Sequence, residues 1–517
     1  MRSVRAGSAV LLLVLAAGIG VRVICALGLD GELPLDGLYV DEVEYSRGME
    51  ALCSPPFQRP PGTYLLAWIT GLPAGVMTAR ILFSILSMVP ALVVLSEFGD
   101  TRWGRACAVM AAAEPVSAFF GLQVLPAAPA AALLSLSMIQ AVRGRTVQAG
   151  FLVGCAALFR GEVLLALPLF PLLRTGPWRG RLRSFAGLTL PASAAVLPVM
   201  ALNLASGAGP VLSVNGAENL WLGTDWELAS TPPGVEFEAL MHLEPGEGSA
   251  DRHFLRLAAD GIGRAPLEWV LMGIRKEAAF VSVPGPGRNL EFGHLLAGTG
   301  LFPLLLLTLG LLSLALVRMP GALRGPPLQR LPLTLAAAAL AAAFLFIPAA
   351  RYRTAFFPAF LFLAASRPPS RREAPPLAAA LLLLTAVSLL DHYPGSPRTG
   401  LTEVQAAQQR LERSEPAEAL DLLHAASVRG YRGADLHNVA GASLMALGRE
   451  GEGLAQFELA LGITQDSPSL LRNYAVALWN TGNHGESVRA ARRAIELDPR
   501  LSSDLAPILE WGRGSLP

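Results

Sequence analysis

Long apolar runs constrain this chain more than any other feature. A run of about 20 apolar residues can cross a bilayer as a helix, and the first 397 residues hold a series of such runs. They lie near 7–29, 79–97, 105–121, 123–141, 148–159, 161–173, 184–205, 296–317, 331–349, 354–366 and 375–391. The pair 148–159 and 161–173 reads as a short hairpin or as one helix. The segment 62–77, broken by Gly71, Pro73 and Gly75, reads as a juxtamembrane helix or a further span. Apolar residues make up 52% of the chain and charged residues 16%, against roughly 25% charged in soluble domains. The deficit stops near 401.

Loop charge orients the eleven spans. Cytoplasmic loops are enriched in Lys and Arg. Arg2 and Arg5, Arg102 and Arg105, Arg143 and Arg145, Arg174 to Arg183, Arg318 to Arg330, and Arg367 to Arg372 all fall on one side. The expectation is a multi-pass protein of the inner (plasma) membrane with a cytoplasmic N-terminus. Loops 30–78 and 206–295, the turn at 350–353 and the tail then lie outside. The run from Ala6 to Leu29 resembles a signal peptide, but its length and the spans after it predict a retained first helix. Net charge is +1, with Lys276 the one lysine, so no basic surface points to nucleic acid.

The tail repeats itself at a spacing of 34. Gly448 pairs with Gly482 and Leu444 with Leu478. Ala426, Ala460 and Ala494 form one series; Ala419, Gly453 and Ser487 form another. Tetratricopeptide repeats have this period, with small residues where helices touch, and "NYAVALWNTGNHGESVRAARRAIELDP" resembles one. The predicted fold is all-α: a polytopic membrane helical bundle over 1–397, an α-solenoid of about three repeats over 398–502, and a tail at 503–517. Such stacks bind peptides or proteins on a concave face, so a protein partner on the repeats is expected.

Chemistry is expected in the external loops, because charge is costly inside a membrane. The first loop carries Asp36, Asp41, Glu42, Glu44 and Glu50, followed by a Pro-rich turn. Three acids within four residues repel one another unless used or solvated. Arg351 and Arg353 stand at the outer end of the ninth span, where guanidinium groups suit phosphate oxygens; interfacial anchoring competes with that reading. Cys25, Cys53, Cys107 and Cys155 form no C-x-x-C pair and read as small hydrophobes. His242, His253 and His294 lack the spacing of a helical zinc pair, so no metal site is assigned. No phosphate-binding glycine fingerprint for a nucleotide is present.

Asp41-Glu42-x-x-Tyr45 followed by Arg59-Pro60-Pro61-x-x-Tyr64 resembles the first external loop of the GT-C membrane glycosyltransferases. That superfamily includes the protein O-mannosyltransferases and the bacterial aminoarabinose transferases. "MTARILFSIL" with Arg80, "GCAALFRGEVLLALPLFPLL" with Arg160, and "NGAENLWLGTD" with Asn219 resemble later family segments in the same order. So do the helical segment ending at Lys276 and "ARYRTAFFPAFLFLAA" with Arg351 and Arg353. The resemblance covers roughly 5–367. It departs where "FFGLQVLPAAP" carries no acid, with Glu114 close by in a predicted helix, and where Glu291 is the one acid of "VSVPGPGRNLEF".

The resemblance implies transfer of a sugar from a polyprenyl phosphate to an acceptor hydroxyl on a protein, envelope glycan or lipid, with inversion. Asp41 and Glu42 would be the catalytic residues, with Asp41 as the base. Arg59, Tyr64, Arg160, Asn219, Lys276, Arg351 and Arg353 would bind the substrate or its lipid phosphate. No cofactor is required, and a divalent metal stays open. Two competing readings are an O-antigen polymerase or ligase and a non-catalytic scaffold that recruits envelope partners through its repeats.

Overall fold

In a computed structural model of the protein the described residues are 2–29, 38, 41–172, 177–224, 231, 234–241, 250–283, 292–323, 330–347, 349–390 and 400–514. Asp36, Asp225, His242 and Glu291 lie outside them. Among the described residues every regular element is helical and no strand occurs, as the all-α expectation requires. The chain divides into two units. The first comprises 1–225, 248–286 and 292–392; the second comprises 226–247, 287–291 and 393–517.

In the first unit four helices are long and apolar enough to cross a membrane: Ser8–Leu29, Val76–Phe98, Trp178–Ala205 and Phe302–Ala322. They mark the chain as membrane-associated. The other expected spans are shorter or broken. The run expected at 105–121 splits into Arg102–Ala112 and Pro115–Gly121. The break is at Glu114, which is not inside a helix but caps the second one, accepting from Val116 N at 3.0 Å and Ser117 N at 2.7 Å. The hairpin tip becomes a 3-10 turn, Gly161–Leu165, ahead of Ala166–Leu172. The segment at 62–77 yields only the eight-residue helix Gly62–Ile69.

Ala127–Val142, Arg330–Leu345 and Ala350–Ala365 have 16 residues each. At about 1.5 Å per residue such a helix is about 24 Å long, short of a roughly 30 Å hydrocarbon core. Their composition explains where they sit. Ala350–Ala365 is buried along almost its whole length and packs against Ala127–Val142, Leu305–Ala322 and Arg330–Leu345. The long helices instead turn Leu12, Leu190 and Leu306 outward. Small residues allow close approach in such bundles. Gly150 and Gly154 press against the backbone of Trp178–Ala205, and a Cβ on either would run into the carbonyl of Leu188 or Ala192.

Charges inside the bundle are answered by polar partners, as a low-dielectric setting demands. Arg22 donates to Ser87 Oγ at 2.7 Å and to the carbonyls of Gly18 and Ala112. Glu114 also accepts from Thr308. Beyond the far end of Ala350–Ala365, Glu373 pairs with Arg318 at 3.1 Å and Arg367 at 2.8 Å.

The second unit pairs antiparallel helices: Leu401–Glu412 with Pro416–Arg429, Ala434–Ala446 with Glu450–Ile463, and Pro468–Asn480 with His484–Leu497. Ala506–Gly514 follows. The 34-residue matches have clear physical causes. Ser414, Gly448 and Gly482 end the first helix of each pair with φ of 64°, 74° and 84°, a conformation glycine enters freely. Ala426, Ala460 and Ala494 are fully buried. At the other small position, Ser487 donates to Ala475 O at 2.7 Å, and a Cβ on Gly453 would lie 2.9 Å from Met445 Sδ. The unit also holds a stretch from 200 residues upstream. The helix Val235–Met241 packs on Ala434–Ala446 and Pro468–Asn480, with Val235 buried beside Phe457, Ala460 and Leu470.

Candidate functional site

The acidic run folds as one helical turn, Asp41–Tyr45. Successive residues on a helix point about 100° apart, so the three acids leave in different directions and meet different partners. Glu42 is buried and takes two parallel bonds from Arg80, both 3.0 Å, and one from Val124 N at 2.6 Å. Glu44 accepts from the Tyr64 hydroxyl at 2.8 Å and pairs with Arg47 at 3.2 Å. Burial first, and then this bond to Glu44, push the Tyr64 phenol above its usual range, so it remains a donor. Asp41 is shared by two guanidinium groups: Arg59 lies 2.8 Å from one oxygen and Arg351 2.5 Å from the other.

Asp41 stands in the wall of a cavity of about 320 Å³. Three guanidinium groups (Arg59, Arg160, Arg351) and two carboxylates (Asp41, Glu162) line it, leaving a positive excess. Arg160 pairs with Glu162 at 2.5 Å and lies 4.0 Å above the Tyr352 ring. Its Nε is buried without a partner. Arg351 sits 5.3 Å from the same ring, and Arg59 5.6 Å from the ring of Tyr45. Ser213, Asn215 and Asn219 supply neutral polar groups, while Leu125, Phe159 and Phe346 make the wall apolar elsewhere.

Asp41, Arg59, Arg160, Asn219 and Arg351 therefore share the cavity, whereas Glu42, expected beside Asp41 as a catalytic residue, does not line it, nor do Tyr64, Lys276 and Arg353. Arg351 and Arg353 are two residues apart on a helix and so point to different faces. Arg353 donates to the carbonyls of Phe280, at 2.8 Å, and Ser282. Lys276 is fully buried and donates to Gly223 O at 2.8 Å, capping the helix Asn215–Leu222 that carries Asn215 and Asn219. Burial lowers the Lys276 pKa to about 8 and raises that of its neighbour Glu277 to about 8. Asn219 itself donates to Asn215 O at 2.8 Å.

Sequence reading overlooked Glu162, Tyr352 and Asn215 as cavity residues. Tyr352 had a usable signal, since it stands between the two arginines already singled out. Glu162 is two residues from Arg160, and only the 3-10 turn brings their side chains together. Among the described residues no group of three His, Cys, Asp or Glu gathers as a metal site would. Cys25 and Cys107 are buried free thiols and Cys53 is exposed. Compared with known proteins, the chain matches no family model and no curated protein.

Proposed function

We propose that the protein is a membrane glycosyltransferase of the GT-C type, drawing its sugar from a polyprenyl phosphate and placing it on an acceptor hydroxyl outside the inner membrane. The carrying observation is the placement of Asp41 between Arg59 and Arg351 in a cavity with a positive excess. A sugar phosphate needs cations where its leaving oxygen gathers charge, and Arg351 with Arg160 supplies them. A hydroxyl nucleophile needs a base. When the donor phosphate engages Arg351, one Asp41 oxygen is released to take the acceptor proton. The acceptor oxygen then bonds to the anomeric carbon, and the polyprenyl phosphate leaves with the electron pair of the broken bond, inverting the centre. Glu42, Tyr64, Lys276 and Arg353 act as positioning residues.

The helix pairs of the tail carry the period of tetratricopeptide repeats, and we read them as such. The packing of Val235–Met241 on them supports one side of the membrane for that stretch and the tail. In proteoliposomes given radiolabelled polyprenyl-phosphate sugars and envelope extract as acceptor, the wild type is expected to transfer label and Asp41→Asn to be inactive. Equal transfer by both would overturn the assignment of Asp41. Absence of transfer by the wild type across hexose and pentose donors would favour the scaffold reading.

A further inference from the structure

The segment Gly234–Met241 meets the repeat unit in an unusually specific way. Glu236 accepts from Ala434 N at 2.6 Å, at the start of one first-of-pair helix. Glu238 accepts from the hydroxyls of Ser467 and Ser469, both at 2.8 Å, and from Ser469 N at 3.3 Å, at the start of the next such helix. Val235 N donates to Asp435 Oδ1 at 2.9 Å. The Val235 side chain is 4% exposed, sunk among Phe457, Ala460, Leu470 and Ala477. Gly234 touches the Asp435 carboxylate so closely that a Cβ has no room. Two helix starts from successive repeats thus read two carboxylates, with an apolar pocket and a glycine fixing the register. Orphan N–H groups at helix starts favour such acids.

We propose that the groove of the repeats is a receptor for an acidic Gly-Val-Glu-x-Glu segment, and that its ligand is this chain's own loop, bound in cis. The repeats act first on the enzyme itself rather than on a recruited protein. This receptor does not rest on the transferase reading.

The test uses the full chain in detergent and a fluorescent peptide of residues 231–241. Gly234→Ala is expected to vacate the groove in cis, so this variant binds the peptide saturably. The wild type, with its groove filled, binds about tenfold more weakly or worse, because the free peptide must displace a segment held at high effective concentration by the chain. A peptide carrying Glu236→Gln and Glu238→Gln is expected to bind neither chain. A chain with both substitutions is the second vacated form, should Gly234→Ala unfold on a thermal melt. Equal binding to wild type and vacated chains, or none to any, would overturn the receptor. Concentration-dependent dimers joined by the segment would overturn docking in cis. A wild type without transfer would count against the transferase reading while leaving the peptide result standing.

Discussion

In the first unit Glu42 meets Arg80 through two parallel bonds and Asp41 meets two guanidinium groups, whereas in the second unit Glu236 and Glu238 meet backbone N–H groups and serine hydroxyls. The surroundings explain the difference. Helices that present leucines outward hold little water, and a carboxylate among them needs either a counter-charge, as Glu42 has, or a full set of donors, as Glu114 has at the start of Pro115–Gly121. The repeat unit has an ordinary charged surface, and dipoles at helix starts suffice there. Removing one partner should therefore be severe in the first unit and mild in the second.

The largest effect expected is on activity. Asp41→Asn should lower transfer about a hundred- to ten-thousandfold, the span of a lost general base, with donor binding retained in a lipid-phosphate competition assay. Next comes stability. Glu42→Gln leaves Arg80 buried without its counter-charge and should cost about 3–5 kcal/mol, read as a fall in Tm. Glu42→Leu with Arg80→Leu together should recover most of it. If the single change is harmless, the contrast between the units fails.

A pH effect is expected in the second unit. Burial raises the Asp435 carboxyl from 3.8 to about 7; the bond from Val235 N opposes the rise, and Glu236 and Glu238 add to it. The docked form then holds a proton that the undocked form releases. The contribution of Asp435 to docking should therefore fall as pH rises from 3.8 towards about 7 and level off above. Proteolysis of the loop in wild type and Asp435→Asn across that window measures it, and the variant should lose the slope. The smallest effect is local. Gly482→Ala, at φ 84°, should cost about 1 kcal/mol, read in the melt of the repeats.

Much of this was legible in the sequence, and the limits have physical causes. Apolar runs announced the long helices because hydrophobic length is a local property. The matched small residues and Gly448 and Gly482 announced the helix pairs because turn chemistry is local too. Asp41, Arg59 and Arg351 could be chosen by residue type and loop position. Which neighbour faces the cavity could not be: Asp41 and Glu42 are adjacent, Arg351 and Arg353 nearly so, and a rotation of 100° per residue separates a cavity group from one locked behind it. The break at Glu114 was hidden within a continuous apolar run. The destination of 234–241 was invisible, because a pairing across 200 residues leaves no pattern in either partner.

The double pairing of Asp41 changes what kind of event anion binding is. An open patch of arginines captures an anion by shedding loosely held counterions, so its grip fades steeply with salt. Here the counterion is a residue of the protein, already seated against Arg59 and Arg351. An anion arriving at these arginines would have to exchange with it, one ion pair for another within the same walls. Affinity then reflects the difference between two anions rather than the strength of one, and it is buffered against ionic strength from within.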